Sequence, residues 1–197
     1  MKLLTGCFLG VIGLLVGCSS APLSKSHYYL LNNQQAELKT NTTSNQPIKP
    51  KEVMVLSVKD LPEYLNQPHL VMKIADHKLN YAHFHLWAEP LQLGLKKALL
   101  AELNANNSES YFIAENRDSL DDNLTSLVVN IDYFHPTSDS LVTLSGQYWL
   151  SKANKDQYSS VQPFYFEQQL EQDGYPHSVA KMRTLVAKLA VKIMNQL

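Results

Sequence analysis

Cysteine occurs only twice in the 197 residues, at Cys7 inside an apolar leader and at Cys18 where that leader ends. A domain that follows the leader therefore has no free thiol, which excludes a disulfide framework, a thiolate zinc site and a cysteine nucleophile. Glycine is almost as scarce. Of seven, Gly6, Gly10, Gly13 and Gly17 belong to the leader, and only Gly94, Gly146 and Gly174 remain, far apart. Three isolated glycines cannot build a phosphate-cradling loop, a dinucleotide fingerprint or a serine-hydrolase elbow. A surplus of positive charge is missing as well: 17 Lys and Arg against 18 Asp and Glu give −1, and loss of Lys2 with residues 1–17 gives −2. Nothing here would neutralise a row of phosphates, so nucleic acid is not an expected partner. The longest apolar run, Leu3 to Val16, has 14 residues, whereas a helical membrane span needs roughly 20.

What is present begins at the end of that run. Lys2, the short apolar core and the small residue before a break form a removable export signal, and Leu15-Val16-Gly17-Cys18 has the form of a lipobox. A thiol is nucleophilic enough to take a diacylglyceryl group as a thioether. Gly17 leaves room at the cleavage point, and Leu15 and Val16 hold that point at membrane depth. The expected organisation is a signal over residues 1–17, cleavage between Gly17 and Cys18, lipidation of Cys18, a tether over 18–27 and one domain over 28–197. Fully extended, the nine residues from Ser19 to His27 reach about 30 Å, so the domain would stay close to the membrane. The remaining 180 residues suffice for one substantial core.

Tyr28-Tyr29-Leu30-Leu31 favours a first strand, and the polar stretch Asn32 to Lys51 a long exposed loop. Val53 to Val58 is apolar almost without interruption, as in a strand buried on both faces. Strands are expected at Leu70–Ile74 and Tyr81–Trp87, then a helix from about Glu89 with Pro90 at its first position and Leu91, Leu95, Ala98 or Leu99, and Glu102 or Leu103 as its stripe. Tyr111–Ala114 reads as a short strand. Leu124–Phe134, Ser140–Ser151 and Val161–Leu170 read as an antiparallel meander, with Val142, Leu144, Tyr148 and Leu150 inward and Thr143, Ser145 and Gln147 on a wetter side. From Pro176 onward Val179, Met182, Val186, Leu189 and Ile193 recur at helical spacing. The expected fold is α+β, a mixed and largely antiparallel sheet with two amphipathic helices packed on one face.

The chemistry-bearing residues are few. His83 and His85 alternate along a strand and so share a face; with His69 or His77 they could ligate zinc, but no second ligand pair with recognisable spacing exists. Asp118, Asp121 and Asp122 lack the glycine and spaced oxygens of a calcium loop. His177 and Ser178 are helix neighbours that do not face each other. Lys181, Lys188 and Lys192 line one side of the last helix, either as its wet face or towards an acidic surface. No catalytic residue, metal site or cofactor is expected, and the residues by themselves favour a binding or scaffold role.

Four stretches resemble one family. Leu61-Pro62-Glu63-Tyr64-Leu65 resembles a short element of the PqiC/YmbA-type lipoproteins, auxiliary components of paraquat-inducible MCE transport systems. Leu86-Trp87-Ala88-Glu89-Pro90-Leu91 resembles the start of that family's first helix, Gln172-Asp173-Gly174-Tyr175 the approach to its last, and Tyr28-Tyr29-Leu30-Leu31 its first strand. Their order, together with the lipobox, carries the resemblance across the mature chain. It implies an outer-membrane lipoprotein facing the periplasm, assembled as a homo-oligomeric ring. That ring would receive a tunnel-forming PqiB-like MCE protein in lipid transport between two membranes. Ser19 after the acylated residue fits outer-membrane sorting. The family offers no catalytic residues. The alternatives are a structural envelope lipoprotein unrelated to transport and a lipid-processing enzyme, for which no nucleophile and base are found.

Overall fold

The computed structural model describes residues 25–32, 51–59, 61–105, 110–115, 124–152 and 160–197. Cys18, the tether up to Ser24, residues 33–50 of the polar loop and the aspartates at 118, 121 and 122 lie outside them. The strands are β1 (His27–Tyr29), β2 (Glu52–Val58), β3 (His69–Ala75), β4 (Lys78–Trp87), β5 (Ser110–Ala114), β6 (Thr125–Pro136), β7 (Leu141–Lys152) and β8 (Gln162–Gln169). The helices are α1 (Leu91–Ala105) and α2 (Tyr175–Met194). The class is α+β with mixed pairing, as expected.

The strands divide into two sheets rather than one. A three-stranded sheet has the order β1-β4-β3, and a five-stranded sheet the order β5-β2-β6-β7-β8. The meander β6-β7-β8 is antiparallel throughout, while β2 lies parallel to both neighbours and β1 parallel to β4. Met54 to Val58 are all buried, as their unbroken apolar run requires of a central strand.

Both helices cover one face of the larger sheet. Leu91, Leu95, Ala98, Leu99 and Leu103 of α1 meet Leu56, Phe112, Leu127 and Val129 in one core, joined by Val179, Met182, Val186, Leu189 and Ile193 of α2. Each such side chain withdrawn from water contributes roughly 1.5–3 kcal/mol. Glu102 is the stripe position that turned outward, where it pairs with Arg183 at 2.7 Å and ties the helices together. Pro90 stands one position before α1, its carbonyl accepting from the N–H of Gly94 at 3.1 Å. Gly94 lets the chain after β1 come close: a Cβ there would stand 3.4 Å from the Leu31 Cβ. Leu31 and Asn32 are buried, so Asn32, which composition assigns to the exposed loop, belongs to the packed part of the chain.

Two polar side chains finish the margins of the larger sheet. The Asn104 amide donates to the Phe112 carbonyl at 2.9 Å, and its oxygen accepts from the Phe112 N–H at 2.8 Å. The Lys192 ammonium donates to the Pro163 carbonyl at 3.0 Å.

One expectation about β7 is corrected. Gln147 is exposed, but Thr143 and Ser145 are buried. The register sets Ser145 between Tyr133 and Tyr165, and Thr143 between His135 and Glu167. Large neighbours on both sides shade the two small residues, so polarity alternates along the strand without exposure alternating with it.

Candidate functional site

The two sheets bring the histidines into different surroundings. His85 stacks on Tyr175 of α2 with ring centroids 3.8 Å apart, lies 5.2 Å from His27, and has Nδ1 2.7 Å from the Tyr29 hydroxyl. His83 meets His69 edge-on at 6.5 Å, and His69 Nδ1 lies 3.2 Å from the Ala82 carbonyl. Among the described residues no three His, Cys, Asp or Glu side chains converge as a metal site would need. The His85 stack instead fastens β1, where the chain enters the domain, to the first turn of α2. Its rings come from three separate elements.

The helix residues are also engaged. Ser178 donates to the Gly174 carbonyl at 3.2 Å, while His177 Nε2 lies 3.1 Å from Glu171. The lysine row turns inward to its surroundings: Lys181 bonds Glu171 at 2.9 Å, Lys188 bonds Gln168 at 2.6 Å, and Lys192 holds the Pro163 carbonyl. A bond from Lys181, then the main-chain N–H of Glu171 itself and His177, hold the Glu171 carboxyl at about 2. These lysines therefore clamp α2 to β8 and the turn after it.

No motif or periodicity announced the groove of about 770 Å³ between the β3–β4 hairpin and the outer face of the larger sheet. Tyr64, Tyr133, His135 and Tyr165 line one side, and Lys73 and Leu79 the other. Tyr64 comes from the single turn that follows β2, where the Leu65 N–H bonds the Pro62 carbonyl at 2.8 Å, and its hydroxyl donates to the Asp132 carbonyl at 2.9 Å. Burial pushes the Tyr64 phenol far above its ordinary range, helped by Tyr133 and Asp132. The hairpin is held over the groove by the Ser138 N–H bonding the Lys73 carbonyl at 2.8 Å. Among the lining residues the Tyr165 hydroxyl donates to the Glu167 carboxylate at 2.5 Å. Aromatic walls with a few polar tips give the groove the character of a binding surface.

His135 predicts a pH dependence. Its ring is buried, which lowers its pKa; the Pro136 carbonyl at 3.2 Å opposes that and Lys73 reinforces it. His85 is lowered in the same direction, by burial and then by His27. In both, the folded surroundings favour the neutral ring. As pH falls through about 6.5 the unfolded chain takes up protons that the folded one refuses, so stability is complete above that value and falls below it. Thermal unfolding should show a lower midpoint at about pH 5 than at about pH 7, and His135→Gln should flatten the dependence. An unchanged slope in that variant would count against His135. Glu171 does not interfere, because its contribution is lost only as pH drops from ordinary carboxylate values towards about 2.

Comparison with known proteins adds what geometry cannot. The profile of the family described as ABC-type transport auxiliary lipoprotein component matches residues 29–194. The intermembrane transport lipoprotein PqiC of Escherichia coli K12 is 27% identical over 183 residues, covering 93% of this chain and 91% of that protein, and the PqiC of Shigella flexneri matches equally. A crystal structure described only as an uncharacterized protein superposes with a TM-score of 0.71 at 23% identity, over 87% of this chain and 98% of that one. XCC0632 from Xanthomonas campestris gives 0.59 at 12% identity, over 75% and 84%. The two structures show that the fold recurs.

Proposed function

This chain belongs to the ABC-type transport auxiliary lipoprotein family, and from that premise we propose that it is a lipoprotein component of intermembrane transport. The observation that carries the reading is the family match, which runs from β1 to the end of α2 and so takes in both sheets and both helices. The relatedness to PqiC over nearly the whole of both chains supports the same role. The family is one of transport auxiliaries rather than of enzymes.

The finer reading is that Cys18, freed by cleavage after Gly17, carries acyl chains that fix the domain to the periplasmic face of the outer membrane. There a ring of copies docks the end of a PqiB-like MCE protein and passes lipid or another hydrophobic molecule. Head-to-tail contacts between identical subunits close a ring when their rotation divides a full turn. Pinning to one surface raises the local concentration, so contacts too weak for solution persist there.

The test is recovery of the tagged lipoprotein from gently solubilised membranes. An MCE-type protein should co-purify with it. An intact lipoprotein recovered repeatedly without one would favour a structural envelope role instead. Light scattering of the lipidated form over a concentration series should show one discrete oligomer, and a strict monomer would remove the ring.

A further inference from the structure

The three-stranded sheet has one face towards α2, marked by the stack of His27 and His85 on Tyr175. Its other face carries Tyr28 and Leu86 in register, and Phe84 stands close by on β4, one residue before His85 and within the stretch where β4 shifts register against β3. Tyr28 is 66% exposed and Phe84 47%, and Leu30, just beyond β1, is 55% exposed. Large apolar side chains left together in water mark a surface that something covers. Other exposed apolar residues are spread over the far end of β4 (Leu79, Tyr81), the larger sheet (Tyr165) and the two helices (Leu93, Val191).

The position of this patch identifies what covers it. β1 is the first described strand, and His27 stands nine residues after Cys18. At about 3.3–3.6 Å per residue His27 can be no more than about 30 Å, and Tyr29 no more than about 40 Å, from an anchor at Cys18. Lys25, exposed just before the strand, adds a positive charge on the side from which the chain arrives. Aromatic residues with a polar tip, next to a cation, suit the headgroup layer of a bilayer, where the ring is buried and the hydroxyl stays wet. A strand of only three residues offers little main chain for pairing with a second copy.

We propose that the Tyr28–Phe84 face of the small sheet rests on the bilayer surface and fixes the orientation of the domain on its anchor. This rests on lipidation at Cys18. The anchor supplies attachment, and the patch supplies a preferred tilt that attachment at one point could not. The groove beneath the β3–β4 hairpin is then held at a constant attitude to the membrane.

The domain has no cysteine of its own beyond Cys18, so a single label reports cleanly. Lipidated full-length protein carrying Phe84→Cys, labelled with a fluorophore, would be placed on phosphatidylethanolamine–phosphatidylglycerol vesicles containing a headgroup nitroxide lipid. Gln147→Cys, exposed on β7 of the larger sheet, is the reference. Quenching at position 84 should be at least about twofold that at 147, and should fall towards it when Tyr28→Ser and Leu30→Ser are added, with flotation unchanged. Equal quenching at both positions in protein that floats with the vesicles would overturn the proposal and leave the anchor standing. So would an unquenched label combined with efficient disulfide cross-linking between unlabelled Phe84→Cys copies, which would make the patch a subunit contact. Protein that fails to float at all would remove the anchor, and with it this proposal.

Discussion

Gly146→Val is expected to unfold the domain, or to cost it about 3 kcal/mol or more, at the upper end of what overpacking does in a core. Gly146 lies in the middle of β7, opposite Ile131, where the β6–β7 register shifts between Ile131 and Tyr133. A Cβ built there would stand 2.0 Å from the Asn130 carbonyl oxygen and 3.0 Å from its carbon, with the Phe164 ring at 3.0 Å on the other side. A flexible side chain could swing away from such a contact, but Asn130 presents backbone held in the longest ladder of the sheet. The extra residue on β6 pushes its main chain into the space a side chain on β7 would fill. Chemical denaturation of Gly146→Ala and Gly146→Val tests this. Alanine should already destabilise strongly, and a midpoint like wild type for either would show that the bulge can relax.

Cys18→Ala is expected to cause near-complete loss of membrane attachment. Each buried CH₂ contributes about 0.8 kcal/mol, and one acyl chain gives only marginal, reversible binding, so durable attachment needs two or three chains on the same residue. Without the thiol neither the thioether nor the cleavage that depends on it can form. Fractionation should find the variant unprocessed, or soluble if cleaved by another route. Its described fold should persist, because the core that α1 and α2 close is built among the described residues from Leu31 to Ile193. A variant that remained membrane-attached at wild-type level would sink the lipoprotein reading at its root.

How far the sequence could be read depends on the range of the interaction involved. The stripe Val179, Met182, Val186, Leu189 and Ile193 is buried throughout, because helical periodicity is a property of the segment alone. The same holds for Met54–Val58 and for the meander, whose strands end within two residues of the expected limits. Pairing across the chain is another matter. Nothing local in Tyr28-Tyr29 announces a parallel partner at Leu86-Trp87, and nothing in Ser110–Ala114 announces that it will lie beside β2. The division into two sheets is a consequence of those pairings. The histidines at 83 and 85 illustrate the same limit: their spacing put them on one strand, but their ring partners His69 and Tyr175 arrive from elsewhere. The lysine row was visible as a stripe, while its acceptors on β8 and at Glu171 were not. Gly146 did leave a trace, since a lone glycine inside an alternating strand signals a bulge or a close backbone approach.

The Asn104 amide and the Lys192 ammonium also bear on what crowded copies can do to each other. β5 and β8 are the outer strands of the larger sheet, and an unguarded outer strand is a template on which a foreign strand can zip. At β5 one amide takes both the N–H and the C=O of Phe112. At β8, Pro163 has no N–H to offer and its carbonyl is occupied by Lys192. Lipoproteins confined to two dimensions collide far more often than the same number free in solution, and a sheet that could grow at both margins would grow into fibres. Under the membrane anchoring proposed above, these stops turn neighbouring copies towards side-chain contacts, whose fixed geometry lets them close on themselves as the proposed ring requires.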